Sequence, residues 1–152
     1  MAINRRVRKL SPAALAALIL LVACGDDPEG PDLTTADLVG EYAAEAGVAG
    51  AVFSTTEAGE TVDWLTRGGS LTITLEATNT TEGHLFMPEA EEDGSDFEAN
   101  LAGTWTLSGD TVRFSHNADT FVRDMPFVYR DGRLEGERTF DETLVRVVLV
   151  KR

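Results

Sequence analysis

Between Ser70 and Ala77 the chain alternates strictly. Leu71, Ile73, Leu75 and Ala77 point one way, and Ser70, Thr72, Thr74 and Glu76 point the other. A period of two is the mark of a half-buried β-strand, because successive side chains leave a pleated backbone on opposite faces. The same pattern returns at Thr104–Ser108, where Trp105 and Leu107 share a face, and at Thr111–Ser115, where Val112 and Phe114 do. Leu144 to Val150 is nearly continuous apolar sequence, which suits a strand covered on both sides. A chain built this way has few options beyond stacking or closing a sheet.

Turn residues fall between the alternating runs. Ser108-Gly109-Asp110 separates two of them and Asp131-Gly132 separates two more. Asp-Gly favours a tight hairpin turn whose positive φ angles match the strand twist. The spacing predicts strands near 39–45, 49–55, 61–66, 70–77, 81–87, 100–107, 111–116, 120–129, 133–139 and 143–150. A single helical turn is expected over Thr34–Leu38, capped by Thr34 or Thr35. Pro88 to Phe97 is acidic and irregular and reads as a long exposed loop. Short, evenly spaced strands imply an antiparallel meander closed into a barrel, or a sandwich. Closure removes exposed strand edges. The expected fold is therefore all-β, an up-and-down meander closed into a small barrel of about 8–10 strands.

Two short motifs bear on that expectation. Leu38-Val39-Gly40-Glu41-Tyr42 and Leu101-Ala102-Gly103-Thr104-Trp105 share a Leu-x-Gly-x-aromatic pattern. Gly-x-aromatic entering a first strand resembles the lipocalin-like families, including small bacterial lipocalin-like lipoproteins. Lipocalins carry the tryptophan on the first strand, whereas here that strand has Tyr42 and the tryptophan lies mid-chain. The resemblance implies a barrel over about 38–152. Read from the residues alone, Tyr42 and Trp105 are core aromatics that plug a barrel end, each beside a glycine that lets backbones approach.

The N-terminus speaks to address. Arg5, Arg6, Arg8 and Lys9 precede an unbroken apolar run of 11 residues, Ala13 to Ala23. A spanning helix needs about 20 such residues, so the run fits a signal peptide. Leu21-Val22-Ala23-Cys24 resembles the lipobox of bacterial lipoproteins. The resemblance implies that residues 1–23 are removed, that Cys24 carries acyl chains such as palmitate, and that the protein is anchored on the outer side of a membrane. The alternative is an ordinary signal peptide followed by an unrelated cysteine. Cys24 is the only cysteine, so an intramolecular disulfide is excluded. Gly25 stands where enteric lipoproteins retained in the inner membrane carry Asp, which leaves the choice of membrane open. Residues 24–32, rich in Gly, Pro and Asp, read as a tether, and 33–152 as one domain.

All 26 acidic residues lie after Cys24, against nine basic ones, a formal charge of −17 for that part. Nucleic acid is excluded as a partner, since it needs clustered cations. A cationic protein is a partner such a charge would suit, although solubility alone accounts for it.

No catalytic pattern is present. There is no Gly-x-Ser-x-Gly elbow, no Ser-x-x-Lys and no phosphate or dinucleotide loop. His84 and His116 lack metal-ligand spacing, and no cofactor is implied. The acids of 89–96 do not match a calcium loop and read as a solvated loop. The chain is expected not to be an enzyme.

The most distinctive stretch is 118–129. Phe121, Arg123, Met125, Phe127 and Tyr129 share one parity, and Arg138 shares parity with Leu134 and Phe140. If those parities face inward, Phe121, Arg123, Phe127, Tyr129 and Arg138 line a lumen. Arg123 and Arg138 would then hold the carboxylate of a small apolar or amphiphilic ligand. Alternatively, Arg123 pairs internally with Asp119 or Asp124, or that parity faces water. Two functions follow. One is a lipid-anchored binder of a small amphiphile. The other is an envelope interaction or inhibitor module whose barrel is filled by its own side chains. The lumen discriminates between them.

Overall fold

The computed structural model describes residues 32–152. The expected signal peptide (1–23), Cys24 and all but the last residue of the tether lie outside the described residues. Among the described residues no helix is long and apolar enough to cross a membrane.

The chain forms α1 (Thr35–Leu38), β1 (Gly40–Ala44), β2 (Val52–Glu57), β3 (Glu60–Asp63), β4 (Ser70–Leu75) and β5 (Thr80–Met87). Next come β6 (Phe97–Asn100), β7 (Gly103–Ser108), β8 (Thr111–His116), α2 (Phe121–Asp124), β9 (Phe127–Arg130), β10 (Arg133–Phe140) and β11 (Thr143–Lys151). The pairing order is β1-β4-β5-β7-β8-β9-β10-β11, and β11 returns to β1 through Tyr42↔Lys151 and Ala43↔Val150. This is a closed eight-strand antiparallel barrel in up-and-down order, as the alternation predicted, with β2, β3 and β6 as additional strands.

Those extra strands extend the wall. The later part of β5 pairs with β6 (His84↔Asn100) and its start pairs with β7 (Thr80↔Thr104), in one register. Leu101 N–H bonds the Gly83 carbonyl at 2.9 Å, so β6 and β7 are two pieces of one line. Similarly, β11 gives its last residues to β1 and its first ones to β2, where Leu144 faces Thr56. The β2–β3 hairpin thus widens the barrel at one end.

Strand direction defines two ends. At the lower end sit α1, the turns at 76–79, 109–110 and 131–132, and the C-terminus. At the upper end sit the hairpin tip 58–59, the loop 88–96, α2 and the tip 141–142.

The interior is filled by the chain itself. Tyr42, Phe53, Ile73, Leu85, Trp105 and Phe127 are fully buried or within 1 % of it, in one continuous cluster with Phe114, Leu134 and Val147. Each such side chain contributes roughly 1.5–3 kcal/mol by leaving water. Both motif aromatics plug the lower end. The Tyr42 phenol donates to the Leu38 carbonyl at 2.7 Å, and Trp105 Nε1 donates to the Glu76 carbonyl at 3.2 Å. Burial, reinforced by nearby Tyr129, holds the Tyr42 phenol well above its ordinary pKa. The glycine expectation is met at Gly103. A Cβ there would stand 2.1 Å from the Ser115 carbonyl oxygen, so only glycine fits.

Two local expectations are corrected. Phe97, expected as the end of the loop, instead opens the strand Phe97–Asn100. The stretch 120–129 is not one strand but the helical turn α2 followed by β9. Pro126 accounts for the break. Its ring disfavours helical backbone at the preceding residue, and Met125 is extended at φ −103, ψ 133.

Candidate functional site

α2 lies across the upper mouth. Thr120 precedes it in extended conformation, and Met125 N–H closes the turn on the Phe121 carbonyl at 2.9 Å. Val122 and Met125 are buried beneath it and Phe121 packs its ring 5.7 Å from Phe53. This single turn breaks the strand parity assumed for the ligand-lining set, and the five residues separate accordingly.

Phe127 is a core residue, fully buried and edge-to-face with Phe114 at 5.3 Å. Tyr129 is half-buried toward the lower end and packs against the core. Phe121, Arg123 and Arg138 gather at the upper mouth instead. Arg123 takes the internal partners that were one of its two expected alternatives. Its Nε reaches Asp124 Oδ1 at 2.8 Å, and its Nη2 reaches Asp119 Oδ1 at 2.5 Å and Asp124 Oδ2 at 3.1 Å. These bonds hold the Asp124 carboxyl below its ordinary range and raise the Arg123 guanidinium further. Arg138, an exposed residue, donates to the Asp124 backbone carbonyl and stacks over the Phe140 ring at 5.1 Å.

Between these groups is an open depression of about 380 Å³. Phe121, Phe140 and Val145 supply its apolar surface, and Asp119, Asp124, Thr120 and Thr143 its polar one. Thr120 is 6 % exposed, and its hydroxyl has no hydrogen-bond partner. His116 at the end of β8 is 7 % exposed, and neither ring nitrogen has a partner. Burial pushes the His116 imidazole below its ordinary pKa. The Ala118 carbonyl and Asp124 oppose that shift, and Arg123 adds to it.

The chain matches no known family, no curated protein and no solved structure.

The acidic loop 88–96 organises itself. Asp93 Oδ1 accepts from the Ser95 N–H at 2.9 Å and hydroxyl at 2.6 Å, and Asp96 Oδ1 accepts from Glu89 N–H at 2.9 Å. Exposed His84 lies 3.9 Å from Glu98 on the neighbouring strand. The signal missed in the sequence was Pro126, which separates Phe121 and Arg123 from Phe127 and Tyr129.

Proposed function

We propose that this protein is a lipid-anchored module of the bacterial cell envelope that acts on its outer surface, by binding a cationic protein. The filled interior carries this reading. An eight-strand ring is just wide enough for its own side chains, and here Trp105, Tyr42, Phe53 and Phe127 take that space. A small amphiphile in the lumen would have to displace them. The lipobox-like Leu21-Val22-Ala23-Cys24 supports the anchor.

The acidic surface supports the partner's sign. Residues 32–152 carry 23 acids and nine bases, a formal charge of −14. Such a field raises encounter rates with positive proteins and repels anionic headgroups.

A carbodiimide reagent, which couples carboxylates directly to lysine amines, tests the reading in intact cells. The expected product is a conjugate with a basic envelope protein, and Cys24→Ser should shift the protein to the soluble fraction. Cells yielding no protein conjugate would contradict the binding role. Unchanged membrane attachment of Cys24→Ser would contradict the anchor.

A further inference from the structure

The charge is not spread evenly between the two ends of the barrel. At the upper end, the 57–60 hairpin holds two carboxylates, the 88–96 loop five, the flanks of α2 two and the 141–142 tip two. Against these eleven, this end holds two cations at the mouth, Arg123 and Arg138. At the lower end, Arg130, Arg133, Lys151 and Arg152 stand among the acids. Arg152 binds Glu41 at 2.7 Å and also pairs with Glu45, and Lys151 donates to the Asp37 carbonyl at 2.8 Å. Glu41 and Glu45 are thus paired within the fold, whereas among the described residues nine of the eleven upper carboxylates have no ion pair.

The register sharpens this contrast. Leu144 pairs with Thr56, which sets the 57–60 and 141–142 tips side by side. Glu57 and Glu60 face each other directly within their own hairpin. Like charges placed opposite on neighbouring strands destabilise a sheet. Among the described residues neither carboxylate has an ion-pair partner, and a positive protein would offset the repulsion.

The mouth depression gives the field a seat. Its Phe121 and Phe140 surfaces suit an aliphatic stem, and Asp119 stands at its wall with a side chain 91 % exposed. Asp119 spends Oδ1 on Arg123, while Oδ2 has no partner among the described residues. The buried, unpartnered Thr120 hydroxyl lies in the same wall. A long cationic side chain matches this combination of apolar surface, carboxylate and free acceptor.

We propose that the upper end is the docking surface for a basic protein, and that the depression between α2 and the β10–β11 tip seats one of its lysine or arginine side chains. This rests on the cationic-partner reading above and names where that partner binds. The chain enters β1 at the lower end, so the acidic surface lies at the opposite end of the barrel from residues 32–39. Carboxylates focused at one end of a low-dielectric body steer an approaching cation to that end.

The test uses the full lipidated protein in phosphatidylcholine vesicles, with a fluorescent heptalysine peptide as probe. One variant neutralises the upper tips, E57Q/E60Q/D141N/E142Q. Its control removes as many charges from the lower half, E76Q/D110N/D131N/E135Q. A third variant, Asp119→Lys, puts a cation at the seat. Thermal melting checks that each remains folded. The upper set should weaken binding by roughly tenfold or more, the scale of electrostatic steering. Asp119→Lys should do the same, and the lower set should change binding much less. Equal weakening by the upper and lower sets would overturn the surface while leaving a cationic partner in place. Unchanged binding by Asp119→Lys would overturn the seat. A wild-type protein that ignores the probe would overturn the cationic-partner reading itself.

Discussion

Glu57 and Glu60 are direct cross-strand partners at the end of the β2–β3 hairpin, two carboxylates facing each other over a two-residue turn. A fold selected for stability alone would place opposite charges there. Glu60→Lys should therefore raise stability by roughly 0.2–1 kcal/mol, the range for cross-strand pairs. The gain should shrink as salt screens it. Urea denaturation at low and high ionic strength measures both effects. Loss of stability in Glu60→Lys would mean that the repulsion is already relieved.

The tightness of the barrel wall and of its interior predicts an order between two glycine substitutions. At Gly103 an added Cβ meets the Ser115 backbone carbonyl at 2.1 Å, and a paired strand cannot yield. At Gly136 it meets the Met125 methyl at 2.7 Å and the Phe127 ring at 2.9 Å. Methionine adapts, so Gly136→Ala should cost about 1–3 kcal/mol, as overpacking does. Gly103→Ala should cost more. The reverse order in denaturant midpoints would contradict the packing described.

Phe127→Ala should open space that the native barrel lacks. The expected cost is about 3–5 kcal/mol, and the resulting apolar cavity should stay dry and take up a small hydrocarbon such as benzene. Wild-type protein should show no such uptake. Calorimetric titration of both proteins with benzene distinguishes them. Equal uptake by both would place an open lumen in the native molecule.

His116 sets a pH dependence. Its folded pKa is pushed down, chiefly by burial, so the unfolded chain takes up the proton first. The stability this group contributes is full above its unfolded value, about pH 6.5. It falls as pH drops from there through the folded value. His116→Leu should remove that slope. It should leave stability at higher pH unchanged or raised, because a buried ring without partners is replaced by an apolar one. Asp37, Asp93 and Asp124 have lowered pKa values, so the stability they contribute is full above about pH 4 and is lost only as pH falls below it. Denaturant midpoints of both proteins across this range check the assignment. A slope that persists in His116→Leu would assign it to another group.

Much of the architecture was legible because period-two alternation maps directly onto burial. Thr111–His116 was expected as a strand over those same residues, and inside it every second side chain is buried. Phe97–Ala99 escaped because a few residues at the end of an acidic loop make too short a run to read. Phe121–Asp124 misled for the opposite reason. Its parity continues through one helical turn into β9, and only Pro126 marks the change. The pairing of Arg123 with Asp119 and Asp124 was legible as one of two alternatives. The meeting of the 57–60 and 141–142 tips was not. It depends on the β2–β11 register, which joins residues about ninety positions apart in sequence.

The central claim is that the barrel is filled by its own side chains and works from its surface. Native mass spectrometry of the barrel domain, purified without detergent and followed by organic extraction, tests it most directly. The expected mass is that of the polypeptide alone, unchanged when fatty acids are added. A stoichiometric small molecule carried through purification would contradict it and identify the protein as a carrier.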